Sequence, residues 1–221
     1  YNLPAINMDH LKKMTTSTGI IQFSKVNQPD ISTGYTLDDN ARALVATCMY
    51  FKLTGDKKSV SDIRKYLKFL KYCQQPEGDF LNYVDEDLNF TDQNKAVNLD
   101  DSNGRAIWAL GYVVSLTGLL SAKISSEAET IIEKSLVHLE TVHSPRTMAF
   151  AIKGLYYQQN VKQSQQNTEL IKTFANRLVQ MYRHESGKKW EWFEDSLTYA
   201  NSTLPEALLY AWMLTKEAIY K

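Results

Sequence analysis

The sequence predicts an all-α fold: a partial or reduced α/α toroid of about four helical hairpins, with short β-like segments at the rim. Three observations predict it. The stretch Asp38-Asp39-Asn40-Ala41-Arg42-Ala43-Leu44 returns as Asp101-Ser102-Asn103-Gly104-Arg105-Ala106-Ile107, and Leu53-Thr54-Gly55 returns as Leu116-Thr117-Gly118 at the same offset. Two matches at one offset mark an internal repeat. Helices of two kinds also alternate. One kind is amphipathic and charged on one face (8–14, 59–74, 126–141, 168–183), and the other is more uniformly apolar and rich in Ala and Gly (38–53, 101–117, 146–157, 204–219). Outer helices of a two-layer toroid meet solvent on one side and inner helices are covered on both, so the alternation fits that architecture. Finally, three of the four pairs place a glycine and an aromatic between outer and inner helix: Gly19 with Phe23, Gly78 with Phe80 and Tyr83, and Gly187 with Trp190.

Each element has its own signals. Residues 8–14 read as a short helix ended by Thr18-Gly19, and residues 20–24 as β-like, before a loop over 25–34. The first inner helix runs from about 37 to 53, with Ala43, Leu44, Ala46, Thr47, Tyr50 and Phe51 at helical spacing and Gly55 as its stop. Ser59 or Ser61 caps the next helix, which carries Ile63, Tyr66, Leu67, Phe69, Leu70 and Cys73 and ends before Pro76. A turn and an extended piece over 77–83 and a polar loop over 85–98 lead to the second inner helix, which Gly118 follows. Ser125 and Ser126 open the third outer helix. Pro145 suits the first turn of the third inner one. Residues 161–166 read as polar linker, 168–182 as an amphipathic helix, 187–195 as an aromatic and acidic segment, and 204–219 as the last helix.

Composition excludes several classes. The chain of 221 residues has 43% apolar and 23% charged residues, ordinary for a globular protein, with 25 basic and 25 acidic side chains. Zero net charge gives no support to a nucleic-acid or acidic-membrane partner. No apolar run reaches the ~20 residues of a membrane span, and no signal peptide opens the chain, so a cytoplasmic location is the expectation. Cys48 and Cys73 lie in apolar helical patterns and read as buried free thiols. His10, His138, His143 and His184 have no metal-ligand spacing, so no metal or cofactor is expected. The chain reads as one α/α domain over 1–221. Its opening on Tyr1 rather than Met gives the expectation of a trimmed, processed or engineered N-terminus and is compatible with the C-terminal part of a longer chain.

Inner helices of such a toroid run one way, so their N-termini share one mouth. There the sequence would gather Asp38, Asp39, Asn40 and Arg42; Asp100, Asp101, Asn103 and Arg105; Arg146; and Glu191, Glu194, Asp195, Tyr199, Asn201 and Glu206. Carboxylates, amides, Arg and flat aromatics suit carbohydrate, whose hydroxyls want bidentate polar partners and whose apolar faces want rings. Paired carboxylates are also the minimum equipment for glycoside hydrolysis. The candidate proton-transfer residues are Asp39, Asp101, Glu194 and Asp195. Asp38, Asn40, Arg42, Asp100, Asn103, Arg105, Arg146, Trp190, Trp192, Tyr199 and Asn201 are the candidate sugar contacts. A purely structural reading competes: Asp38 with Arg42 and Asp101 with Arg105 are i,i+4 pairs, and an Asp at a helix start is a cap. On that reading Asp39 and Asp100, which break the repeat, are the acids without a structural duty.

The ordered motifs also resemble a known type. Gly34-Tyr35-Thr36-Leu37-Asp38-Asp39-Asn40-Ala41-Arg42-Ala43-Leu44 is followed by the second repeat copy, by Ser144-Pro145-Arg146, and by Trp192-Phe193-Glu194-Asp195-Ser196-Leu197-Thr198-Tyr199-Ala200-Asn201 with Ser202-Thr203-Leu204-Pro205-Glu206-Ala207-Leu208. In this order they resemble the bacterial α/α-toroid domain of the six-hairpin glycosidase-like type, often fused behind a glycosyltransferase. The resemblance implies an α/α fold, a carbohydrate ligand and a glycosyltransferase in the same chain or pathway. It departs in size, with about eight helices where a six-hairpin toroid has twelve. Three functions are compatible with the sequence: a glycoside-hydrolase-like domain, a non-catalytic glycan-binding or scaffolding domain, and a helical-repeat module for protein contacts.

Overall fold

The computed structural model describes residues 4–221. Its helices are α1 (Asp9–Met14), α2 (Leu37–Thr54), α3 (Ser59–Cys73), α4 (Gln93–Ala96), α5 (Asp100–Ser115), α6 (Ala122–Leu139), α7 (Pro145–Gln159), α8 (Gln165–Glu185) and α9 (Thr203–Thr215). Two short antiparallel ladders accompany them. β1 (Ser24–Lys25) pairs with β2 (Gln28–Pro29), and β3 (Tyr35–Thr36) pairs with β4 (Tyr83–Val84). The eight expected helices are present in four outer–inner pairs, and the loop over 85–98 contains one extra turn, α4.

The inner row is α2, α5, α7, α9, each packed against the next. Contacts fix its direction. Gly104 meets Thr147 and Gly111 meets Gly154, so α5 and α7 run parallel. Lys153 meets Glu206 and Tyr157 meets Tyr210, so α7 and α9 do too. Asp38 meets Arg105, and further along Cys48 lies within electrostatic reach of Tyr112, giving the same direction for α2 and α5. The N-termini of all four therefore share one rim. Helices α3, α6 and α8 pack behind α2, α5 and α7 respectively, and α8 also packs on α9.

The contact between α5 and α7 is made by glycine. A Cβ on Gly111 would lie 2.0 Å from the carbonyl oxygen of Gly154, and one on Gly154 would lie 2.3 Å from that of Ile107. Only a missing side chain lets two backbones approach this closely. The core is continuous from Ile21 and Leu44 through Ile107, Leu110 and Ile152 to Phe174 and Leu204, all almost fully buried.

Several boundaries differ from expectation. Helix α6 starts at Ala122, ahead of the Ser125-Ser126 pair, because Ser121 already holds the extended cap conformation and its carbonyl accepts from Ile124 N–H; Ser125 is buried inside the helix. Helix α8 starts at Gln165, because the Ser164 side chain caps it by accepting from Asn167 N–H. Helix α9 stops at Thr215, where Lys216 takes a left-handed conformation (φ 60°) and its N–H closes on the Trp212 carbonyl. Residues 218–220 then form a separate 3-10 turn.

Candidate functional site

The rim segments entering α2 and α5 are each clamped by a repeated asparagine. Asn40 Oδ1 accepts from Ile20 N–H (2.9 Å), and its Nδ2 donates to the carbonyls of Ile20 (3.3 Å) and Thr36 (2.8 Å). Asn103 repeats this with Phe80 N–H (2.8 Å) and the carbonyls of Phe80 and Leu99 (both 2.9 Å). Both amides are buried. The retained Asn thus has a structural cause: it satisfies backbone groups that a buried rim would otherwise strand.

The first-turn acids have partners other than those their spacing implies. Neither Asp38 nor Asp101 caps its helix. The cap of α2 is Thr36, whose hydroxyl accepts from Asp39 N–H (3.1 Å) and donates to Asp39 Oδ2 (2.6 Å). Asp39 is therefore the far member of a capping arrangement and also binds Arg42 (2.5 Å), so it has a structural duty. Asp38 takes Arg42 on one oxygen (3.2 Å) and lies 2.8 Å from Arg105 Nε with the other, an ion pair without hydrogen-bond alignment. Arg105 thus crosses from α5 to α2 instead of pairing with Asp101. Burial raises the Asp38 carboxyl above its ordinary range, Arg105 and Arg42 pull it down, and Asp39 and Asp101 push it up again. Asp100 sits at the half-exposed rim with Asn98.

Asp101 joins three chain segments. One oxygen accepts from the hydroxyls of Ser144 (2.9 Å) and Thr147 (3.3 Å) on α7, and the other from the Tyr199 hydroxyl. The Tyr199 hydroxyl is pushed up to about 12, mainly by desolvation and then by its bond to Asp101.

Arg146 organises the segment before α9. It is 6% exposed and lies at the level of Asn103, one residue before the Gly104–Thr147 contact. Its Nη1 and Nη2 grip Glu194 at 2.7 and 2.9 Å, its Nε donates to the Tyr199 carbonyl (2.7 Å), and Nη2 also reaches Thr198 Oγ1 (2.6 Å) and Asn201 Oδ1 (3.3 Å). The guanidinium lies over the Tyr199 ring at 4.5 Å. Trp190 Nε1 donates to the Glu194 carbonyl (2.6 Å), and Trp192 packs edge-on against Phe193. Asp195 is exposed, bonds only to Ser196, and lines a cavity of about 770 Å³ between α7 and α8. The structure therefore gathers Asp38, Asp39, Arg42, Asp101, Arg105, Arg146, Glu194, Tyr199 and Asn201 at the mouth. Asp100 and Trp190 lie around its edge, Asp195 and Trp192 line clefts against the outer helix α8, and Asn40 and Asn103 lie beneath the mouth.

Below the mouth a groove of about 420 Å³ crosses all four inner helices. It is lined by Arg42 and Met49, by Arg105 and Trp108, by Phe150 and Lys153, and by Thr203 and Glu206. Trp108 stacks on Phe150 (5.7 Å, 18°), Arg105 lies 4.5 Å over Phe150, and Lys153 Nζ lies 4.0 Å over Trp108. Lys153 is 4% exposed and binds Glu206 at 2.9 Å; burial lowers its amine below the ordinary range, partly offset by Glu206. Trp108, Phe150 and Lys153 were not among the sequence candidates. Lys153 had a signal, a lone charge inside the apolar run from Met148 to Leu155. Among the described residues no cluster of three or more His, Cys, Asp or Glu is placed to hold a metal, and no helix is long and apolar enough to cross a membrane.

Comparison with solved structures decides the architecture. A metagenome-derived glycoside hydrolase family 9 endoglucanase superposes with a TM-score of 0.51 at 10% identity, over 92% of this chain and 56% of that one. The fold is an α/α toroid. The chain spans about half the length of that enzyme. No family model and no curated protein matches the sequence. The toroid explains why the mouth and groove lie where they do: four parallel inner helices make one concave side, and their N-termini make its rim.

Proposed function

We propose that this toroid is a carbohydrate-active, glycoside-hydrolase-like domain that binds a glycan along the concave groove and across the inner-helix mouth. The observation that carries the reading is the groove itself. It runs over α2, α5, α7 and α9 and places the half-buried Trp108, backed by the buried Phe150, beside charged side chains, the pairing that sugar rings and hydroxyls need. The toroid shared with the endoglucanase supports a carbohydrate ligand. A glycosyltransferase acting on the same glycan, in the same chain or pathway, is the partner this reading implies. The test is a calorimetric screen of neutral and acidic oligosaccharides. At least one class should bind. Tyr199→Ala, at an exposed ring above Asp101, should weaken it on the order of tenfold, the loss of one good contact. A protein that binds no oligosaccharide of either class has some other function.

A second reading, hydrolysis, is favoured by one observation. Asp38, its carboxyl raised by burial, sits within electrostatic reach of Asp101, which is held by three hydroxyls. A raised carboxyl is suited to protonate a leaving oxygen and a hydrogen-bonded carboxylate to activate water. Glu194 is committed to Arg146 on both oxygens and Asp39 to Thr36 and Arg42, which favours positioning roles for these two. On this reading Asp38→Asn and Asp101→Asn each abolish release of reducing sugar while a bound oligosaccharide is retained. Turnover that survives both substitutions rules it out.

A further inference from the structure

We infer that the glycan this groove takes is anionic, a chain of carboxylate-bearing sugar units, with Arg105 as the carboxylate-binding residue. The inference rests on the glycan-binding reading and names its substrate class. The chain as a whole is neutral, with 25 basic and 25 acidic side chains. The groove is not. Its charged lining is Arg42, Arg105 and Lys153 against the single carboxylate of Glu206, while the Asp38 and Asp39 carboxylates that pair with Arg42 and Arg105 stand outside the lining, at the mouth. The three cations stand on three different inner helices, so they spread along the groove rather than crowd one spot.

Their partners are arranged so that charge remains available. Lys153 is held from one side by Glu206 and from another by the Trp108 ring. Arg42 uses only Nη2 on Asp38 and Asp39. Arg105 is the best placed. Its Nε faces Asp38 and its plane rests on Phe150, which fixes the guanidinium. Among the described residues its two terminal nitrogens donate no hydrogen bond, and the residue lines the groove. A fixed planar fork with two open donors matches a carboxylate in bidentate geometry, and neither a neutral hydroxyl nor a lysine amine reproduces that match. Arg105 also acts electrostatically on Tyr199, so the same charge reaches the mouth where the glycan would pass.

The experiment compares oligogalacturonate with its methyl ester, which keeps the sugar skeleton and removes the charge. Binding is measured calorimetrically at low and high salt on the wild type, Arg105→Lys and Lys153→Met. Arg105→Lys retains the positive charge beside Asp38, so the fold is kept while the fork is lost; circular dichroism checks this. The expected result is that the acid binds on the order of tenfold more tightly than the ester, that salt weakens the acid alone, and that Arg105→Lys removes most of the difference. Lys153→Met should reduce the preference further. Equal binding of acid and ester, or a preference that Arg105→Lys leaves intact, overturns the inference while the glycan-binding reading stands. Binding of neither, together with failure of the neutral oligosaccharide screen, overturns both.

Discussion

Replacing Gly154 by Ala tests the contact on which the site depends. The new Cβ would sit 2.3 Å from the Ile107 carbonyl oxygen, 2.6 Å from its carbon and 2.9 Å from Trp108 N, all backbone atoms of α5. An ordinary carbon–oxygen contact is about 3.5 Å, so α5 and α7 must separate by roughly 1 Å. Overpacking costs about 1–3 kcal/mol, and against backbone atoms that cannot turn aside the upper part of that range, about 2–3 kcal/mol, applies, offset by ~1 kcal/mol of better helix propensity. A net loss of about 1–2 kcal/mol lowers Tm by roughly 2–8 °C in a chain of this size. The separation also pulls Ser144 and Thr147 away from Asp101, and Phe150 away from Trp108, so oligosaccharide affinity should fall with stability. Differential scanning calorimetry provides the measurement, with Gly187→Ala as the control because nothing lies within 4 Å of the added carbon there. If Gly154→Ala melts at or above the wild-type temperature, α5 and α7 are not in backbone contact and the geometry of the mouth is wrong.

Other predictions follow from the same structure. Asn103→Ala strands buried backbone groups of Phe80 and Leu99 and should cost about 2–4 kcal/mol, with Asn40→Ala comparable; a loss below 0.5 kcal/mol by chemical denaturation for either would contradict the clamp. Arg146→Lys loses the bidentate grip on Glu194 and should make residues 194–201 the first site of limited proteolysis while helical circular dichroism is kept. Alkaline pH should destabilise the protein. Desolvation pushes the fully buried Tyr66 hydroxyl up to about 12, so its contribution is whole below pH 10 and is lost as pH rises from 10 through 12. Tyr66→Phe, which also removes the bond to Thr15, should lower Tm at neutral pH and flatten that alkaline decline.

The helices were legible because apolar spacing records which face is covered, and the inner row was legible because Ala and Gly crowd into it. Gly104, Gly111 and Gly154 carry that signal most directly. The mouth was legible as a place. Its wiring was not. Spacing of i,i+4 suggested Asp101 with Arg105, but the rotation of α5 against α2 turns Arg105 toward Asp38 and leaves Asp101 facing α7 and Tyr199. Helix phase of this kind comes from packing, and a linear repeat does not record it. Asp39 looked idle because its partner Thr36 lies outside the repeated motif. The groove residues Trp108 and Phe150 carry no signal of their own in the sequence, since stacking between neighbouring helices has no counterpart in sequence distance.

The position of Arg146 bears on how this chain can be divided. The first two inner helices are fastened by an asparagine to the segment that immediately precedes them. The third is not. Its inner helix is fastened forward, through a buried guanidinium, to residues 194–201 that arrive only with the fourth outer helix. A truncation after Gln159 would strip that guanidinium of its counter-ion and of the Tyr199 ring that covers it. Hairpins three and four therefore form one indivisible unit for domain dissection.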